Sequence, residues 1–350
     1  MYNSCNLILH GLCFFSDNLV SCCYSPVDKI ENQKPPMISD NYHGEIIDKK
    51  ELFEYIRKYS NMFKCGETPP QCQGCCHIKN DEWDEGEYIN SITITHFSVC
   101  NADCIYCSNN LEREERTNEV YKIMPFLRYM KENGIIKEGV ELHIGGGEFT
   151  IYPEMDELLK EFGTNKFAKI FVPTNVVKYS ETLNEALIKG NTFIICSLDA
   201  GTRNTFKKLK RIDAFNQVIE NLKKYSEKAA YQITLKYIIV PTYNDNMSEY
   251  KKFVKIVKEL GINYVRTDID ARYARSLNHK IDNYYIELAE KMGKYAEEQG
   301  LNHEFYSFLE QCIKDYVPKK ENIFIKLKKF IKRNFFNKEI KDLYKNRKYC

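Results

Sequence analysis

The sequence predicts an α/β protein: a parallel sheet curled into a partial (β/α)6 TIM-like barrel, with a small N-terminal Cys-rich module and a basic C-terminal helix. Three observations carry this expectation. Between residue 89 and about residue 275, six apolar, β-branched runs alternate with helical patterns at a steady period. Gly134, Gly163, Gly190 and Gly261 stand where most of those helices should end. Fourteen cysteines cluster at 5–23, 65–76 and 100–107, with only Cys196, Cys312 and Cys350 elsewhere.

The strand signals are Ile92–Thr95, Val140–Ile144, Ile170–Val172, Phe193–Leu198, Ile233–Val240 and Tyr264–Ile269. Between them, apolar residues recur at helical spacing over Asn118–Asn133, Glu154–Phe162, Glu181–Lys189, Ala214–Lys228 and Ser248–Leu260. Alternating β and α elements of this kind form parallel sheets, and chemistry then sits at the C-terminal ends of the strands. Residues 1–88 read differently: eight cysteines, the breaker Pro69-Pro70, and one clear helix at Lys49–Tyr59. Residues 283–316 read as one or two further helices. Four units follow: a cysteine module at 1–88, a barrel at 89–280, helices at 281–318 and a basic tail at 319–350.

Composition narrows the class. With 350 residues and 43% hydrophobic content, the chain can bury a large core. A net charge of +2 gives no nucleic-acid signature to the chain as a whole. The start, Met1-Tyr2-Asn3-Ser4-Cys5, lacks the basic and long apolar regions of a secretory signal, and no run reaches membrane-spanning length. The cysteines therefore read as reduced metal ligands of a cytoplasmic protein rather than as a disulfide scaffold.

The most specific motif follows the first strand: Cys100, Cys104 and Cys107, spaced C-x3-C-x2-C. Three thiolates supply one ligand too few for a four-iron cluster, which leaves one iron open to a small molecule. Zinc is the alternative, but it prefers a fourth Cys or His nearby. His96 lies within the strand-like run Ile92–Phe97, which carries it away from the loop.

The triplet and the β/α series together resemble the radical S-adenosylmethionine (SAM) enzymes, over residues 90–275. The resemblance implies a [4Fe-4S] cluster on Cys100, Cys104 and Cys107, with the amino and carboxylate groups of SAM on the fourth iron. Tyr106 stands where the family places an aromatic near the adenine. Gly145-Gly146-Gly147-Glu148-Phe149-Thr150 looks like the glycine-rich motif for the SAM amino group, with Phe149 where Pro is common. Thr174-Asn175 sits at a family Thr-Asn-Gly turn, with Val176 in place of the Gly. Ser197 and Asp199 resemble ribose and carboxylate contacts. Lys236 fits either the SAM carboxylate or a solvated strand position, and Val240-Pro241 the adenine. Alternation along 266–272 sets Arg266, Asp268, Asp270 and Arg272 on one face, for a polar substrate or a surface ion-pair ladder.

The N-terminal cysteines resemble the auxiliary-cluster module called SPASM or Twitch, although that module usually follows the barrel. The resemblance implies a second [4Fe-4S] cluster on Cys13, Cys22, Cys72 and Cys75, with Cys23, Cys65 and Cys76 as rivals and zinc as the other reading. From Lys319 to Cys350, twelve basic residues stand against three acidic ones, with Phe324, Leu327, Ile331, Phe335 and Ile340 at roughly helical spacing. Such a segment lies on an anionic membrane surface or forms a packed helix with a solvated face.

The resulting expectation is an oxidoreductase or maturase-type radical SAM enzyme. SAM would be cleaved reductively to a 5′-deoxyadenosyl radical, which abstracts hydrogen from a peptide or protein and leads to its oxidation or crosslinking. Two alternatives are modification of a carbohydrate or lipid-linked glycan, and a non-enzymatic zinc or iron–sulfur adaptor. The expected partners are a one-electron reductant such as flavodoxin or ferredoxin, a peptide or glycan substrate, peripheral membrane contact through 319–350, and no nucleic acid.

Overall fold

Ten strands form one sheet, and its long parallel part is the barrel the β/α grammar predicts. The computed structural model describes residues 2–22, 36–73, 75, 77–81, 84, 86–107, 120–165, 167–276 and 281–315. The basic tail at 319–350 lies outside the described residues, as do Cys23 and Cys76. No helix among the described residues is long and apolar enough to cross a membrane.

The chain opens with β1 (Tyr2–Ser4), the short α1 (Asn6–His10), β2 (Gly11–Phe14), β3 (Asn18–Val20), β4 (Met37–Asp40) and α2 (Lys49–Lys64). Asp48 starts α2 by accepting a hydrogen bond from the Glu51 N–H at 3.0 Å, and Leu52, Phe53, Ile56, Tyr59 and Phe63 form its buried face. After β5 (Lys79–Asp81), which pairs with β1, the barrel begins. Its elements are β6 (Ile89–Ile94), α3 (Met124–Glu132), β7 (Ile136–Ile144), α4 (Met155–Leu158), β8 (Ala168–Thr174), α5 (Glu181–Lys189) and β9 (Thr192–Ser197). They continue with α6 (Arg203–Lys210), α7 (Phe215–Ala229), β10 (Ile233–Ile239), α8 (Met247–Glu259), β11 (Tyr264–Ile269) and α9 (Ala271–Ser276). The described chain closes with α10 (Asn283–Glu298), β12 (Asn302–Phe305) and α11 (Ser307–Asp315).

Strands β6 to β11 lie side by side in chain order, all parallel. The sheet runs further than the six expected units on both sides. β12 adds in parallel beyond β11, so part of 283–316 is strand rather than helix. At the other edge β2 pairs in parallel with β6, and β3 and β4 follow antiparallel. Strands from 1–88 thus belong to the barrel's own sheet, and one buried core runs from Leu9 to Leu309. These N-terminal strands hold only three or four residues each, too short for alternation to mark them.

Along the parallel strands, side chains alternate between a helix-covered face and an inner face. Leu142, Ile170, Ile194, Leu235 and Val265 join the core beneath the helices. The opposite face carries a stacked ladder of His143, Phe171 and Phe193, with ring centroids 5.2 and 5.3 Å apart. Thr93, Lys236, Arg266 and Asp268 lie on that inner face by register.

Candidate active site

The cysteine loop leaves β6 at the C-terminal edge of the sheet and is held from two sides. On one side is the glycine loop after β7. Gly145 N–H donates to the Ile94 carbonyl at 2.8 Å, Gly147 N–H to Phe97 at 2.6 Å, and Glu148 N–H to Val99 at 2.9 Å. Two backbones this close leave no room for side chains. A Cβ on Gly146 would drive into the Phe97 and Thr95 carbonyls, and one on Gly147 into Val99. Gly146 also takes a φ of 80°, a region open to glycine without strain. These glycines therefore serve the cysteine loop first, a duty that the sequence motif does not reveal.

On the other side is the end of α6. The carbonyls of Lys210 and Leu209 accept from Asp103 N–H at 3.0 Å and Ile105 N–H at 2.9 Å. The cysteine loop thereby satisfies carbonyls that a helix terminus leaves open. Cys100, Cys104 and Cys107 are half-buried, and no disulfide joins any described cysteine. Burial raises Cys100 to about 11, with Glu148 and the other two thiols adding to the effect. Burial raises Cys104 as well, and Lys210 opposes it. Three soft donors, two of them held protonated by burial, are a set that a metal would deprotonate on binding. His96 is elsewhere, as expected: it is buried, stacks on Tyr121 at 4.6 Å and lies 3.3 Å from the Tyr152 hydroxyl. Burial pushes its pKa down to about 4, so its ring is neutral.

Glu148, expected to meet an ammonium, has both carboxylate oxygens engaged inside the protein. Oε1 accepts from Thr150 N–H at 3.0 Å, Thr150 Oγ1 at 2.7 Å and Thr174 Oγ1 at 2.6 Å. Oε2 accepts from Asn175 N–H at 2.7 Å. Asn175 in turn donates to Asn101 Oδ1 at 2.6 Å and lies 3.7 Å from Cys100 Sγ. The Glu148 carboxylate is thus a brace from the glycine loop through Asn175 to the first cysteine. Val176, where the family has Gly, holds a φ of 58° with its side chain fully buried. That left-handed backbone is unusual for a β-branched residue.

Asp199, expected at a ribose, is also engaged. Its Oδ2 accepts from Lys210 Nζ at 2.6 Å and from the Tyr106 hydroxyl, and Lys210 donates to the same hydroxyl. Oδ1 accepts from Ile238 N–H at 2.7 Å. Lys210 and Asp199 are 2% and 0% exposed. Burial acts most strongly and lowers the lysine pKa, but Asp199 together with Cys104 and Cys196 outweighs it and keeps the ammonium above the ordinary range. The Tyr106 ring joins Leu209, Ile238 and Val240 in one apolar patch, so the two expected adenine neighbours, Tyr106 and Val240, do come together. Ser197 stands opposite Lys236 in register. Sequence reasoning missed Lys210 altogether. Its signal is a lysine four residues after Phe206, on the helix's buried side with Leu209.

Lys236 pairs with Asp268 at 3.3 Å. Arg266, 4% exposed, donates through Nε to Glu304 of β12 at 2.8 Å. The expected four-residue face breaks at Ile269, where β11 ends. Asp270 N–H turns to the Ile239 carbonyl at 2.9 Å, and Arg272 belongs to α9. The strand alternation therefore joins only Arg266 and Asp268.

A second group of thiols lies in the N-terminal part. Cys5, Cys22 and Cys72 are buried in one small cluster with Ile8, Tyr59 and Phe63. Burial pushes Cys72 up to about 12, and Cys22, Cys5 and Cys75 raise it further. Cys13, expected as the first ligand, is placed differently. It sits in β2 opposite Thr93, on the sheet face away from Leu12 and Phe14. Cys65 is exposed at the end of α2. Among the described residues, no three His, Cys, Asp or Glu side chains converge tightly enough for a single metal ion.

Comparison with known proteins bears on the barrel. Residues 94–257 match the family model described as the radical SAM superfamily. This chain carries a radical SAM domain. Its cofactors are a [4Fe-4S] cluster and SAM, and the soft thiol set at the barrel mouth fits the first of them. The chain is 28% identical over 177 residues to a probable GTP 3′,8-cyclase of Saccharolobus islandicus (strain M.14.25 / Kamchatka #1), covering 50% of this chain and 54% of that protein. It is 26% identical over 172 residues to a probable GTP 3′,8-cyclase of Metallosphaera sedula, covering 49% and 52%. The chain thus spans about half the length of the curated relatives it matches. The crystal structure of Streptococcus suis SuiB aligns at a TM-score of 0.50 and 15% identity, over 85% of this chain and 62% of that one. That likeness supports the partial-barrel fold of the radical SAM domain.

Proposed function

We propose that this radical SAM enzyme carries out a net two-electron oxidation or crosslinking of a peptide or protein, with Cys100, Cys104 and Cys107 holding the catalytic cluster. When bound, the cluster and SAM supply a 5′-deoxyadenosyl radical that abstracts a hydrogen atom from the substrate. The chain's own residues hold and shield. Backbone carbonyls of the 145–147 loop receive the SAM amino group, since the Glu148 carboxylate is engaged with Thr150, Thr174 and Asn175. Tyr106 and Val240 line the adenine side, and Ser197, whose neighbour Asp199 is held by Lys210, faces the ribose. Restricting the site to one orientation and excluding water are what a protein contributes to radical chemistry.

The observation that carries the oxidative reading is the burial of Cys5, Cys22 and Cys72 together, with Cys75 within electrostatic reach. We assign the auxiliary [4Fe-4S] cluster to these four thiols, with Cys5 replacing Cys13. A cluster spreads its thiolates over the corners of a cube, wider than one zinc ion holds them at about 2.3 Å per bond. A centre held by these thiols would supply an acceptor for the electron left on the substrate after hydrogen abstraction. The experiment is the double variant Cys72→Ala/Cys75→Ala, assayed anaerobically with reductant and SAM. It should still form 5′-deoxyadenosine while losing the oxidised product; loss of SAM cleavage would oppose the reading.

A carbohydrate or glycan substrate is the second reading. It is favoured by the Lys236–Asp268 and Arg266–Glu304 pairs on the inner face, which suit a polyhydroxylated ligand.

A further inference from the structure

We propose that Asn244 is a positioning residue for the adenosine half of SAM, tying the adenine wall at Val240 to the ribose corner at Asp199. This rests on the reading that Tyr106, Val240 and Ser197 surround the adenosine. Asn244 lies in the turn between β10 and α8 and is fully buried. Its side-chain amide makes three bonds. Oδ1 accepts from Val240 N–H at 2.7 Å, and Nδ2 donates to the Ile238 carbonyl at 2.7 Å and the Asp199 carbonyl at 2.8 Å. These partners fix the orientation of the amide, since an N–H needs an acceptor and carbonyls need donors.

The bonds to Val240 and Ile238 stay within one turn, and an asparagine that closes a loop makes bonds of that kind. The bond to Asp199 is different, because it crosses from the end of β10 to the end of the neighbouring β9. Both turns carry left-handed backbone, with φ of 56° at Asp199 and 71° at Thr242. Residues with a Cβ hold that conformation at a cost, the β-branched Thr242 above all. A second tie lies beside the first: Glu249 of α8 accepts from Gly201 N–H at 2.9 Å and from Thr202 Oγ1 at 3.0 Å. Thr202 caps α6, whose other end meets the cysteine loop. The turn after β10 therefore sets the spacing between Val240 and Asp199. None of these bonds involves the 145–147 loop, which receives the amino group in the same reading.

The test is calorimetric binding to anaerobically loaded protein, with iron content measured alongside. SAM is compared with L-methionine, which carries the same amino and carboxylate groups but no adenosine. Asn244→Ala should raise the SAM Kd about tenfold, the worth of one well-made buried hydrogen bond, and leave the methionine Kd within about twofold. In 5′-deoxyadenosine assays with dithionite, its KM for SAM should rise with the Kd while kcat holds. If Asn244→Ala does not load iron, Asn244→Asp takes its place. That variant keeps the size and the acceptor for Val240 N–H but sets an oxygen against the Asp199 carbonyl, and it should show the same split. A loaded variant that binds SAM like wild type overturns the proposal, as does one in which both ligands weaken together. Failure of both variants to load iron also overturns it, making Asn244 a folding residue. Wild-type protein that holds iron but binds neither ligand would instead overturn the reading of the site as a SAM pocket.

Discussion

Replacing Glu148 by Gln separates two roles for the glycine-rich motif. If the carboxylate held the SAM ammonium, the change would lower SAM affinity and leave the apo fold nearly unchanged. The structure predicts the reverse order of effects. The Gln carbonyl retains the three contacts at Oε1, from Thr150 N–H, Thr150 Oγ1 and Thr174 Oγ1. The Gln amide then faces the Asn175 N–H, formerly 2.7 Å from Oε2, and sets two donors against each other in the interior. Losing one charge-assisted bond and stranding a buried donor should cost about 3 kcal/mol. At about 2 °C per kcal/mol for a chain of this size, the apo melting midpoint should fall by about 6 °C. The assay is urea and thermal unfolding of metal-free protein, with SAM binding measured on loaded protein. An apo midpoint within a degree of wild type, together with lost SAM binding, would refute the brace.

Two further outcomes follow from the same geometry. Cys5→Ala should lower the iron content from about eight to about four per chain after anaerobic loading, while Cys13→Ala should keep about eight; equal losses in both would contradict the assignment of Cys5. His96 is neutral and buried, with its pKa depressed from 6.5 to about 4. The unfolded chain therefore binds more protons between those values. Stability is fully present above pH 6.5 and should fall by up to about 3 kcal/mol as pH drops through 4. Urea midpoints of apo His96→Phe should lack that slope; an unchanged slope would remove His96 from the account.

Much of the barrel was legible because its strands are β-branched and buried on both faces. β9 (Thr-Phe-Ile-Ile-Cys-Ser) and β10 (Ile-Thr-Leu-Lys-Tyr-Ile-Ile) fall where their sequence places them, and α5 matches its expected span, with Ser180 capping it and Gly190 ending it. β12 was not legible. Asn302-His303-Glu304-Phe305 has little apolar content, and its partner Tyr264–Thr267 lies far off in the chain. α6 was hidden by its lysines, Lys207, Lys208 and Lys210, which give it a surface-like composition although Phe206 and Leu209 are buried.

At the site, spacing shows which residues meet but not which partners they already have. Glu148 and Asp199 both read as ligands for SAM because their motifs place them at strand ends. Both prove to be held by protein donors, Asn175 for one and Lys210 for the other. Val176 is the same lesson in backbone form: the turn keeps the left-handed φ that Gly would adopt freely, because the valine side chain fills the core beneath it.

The central claim is that Cys100, Cys104 and Cys107 hold a cluster with one iron open to SAM. Anaerobically loaded protein, reduced with dithionite and mixed with SAM, should release 5′-deoxyadenosine, and its reduced EPR signal should change on adding SAM. Cys104→Ala should show neither. Fully loaded wild-type protein that cleaves no SAM and keeps an unaltered signal would contradict the account.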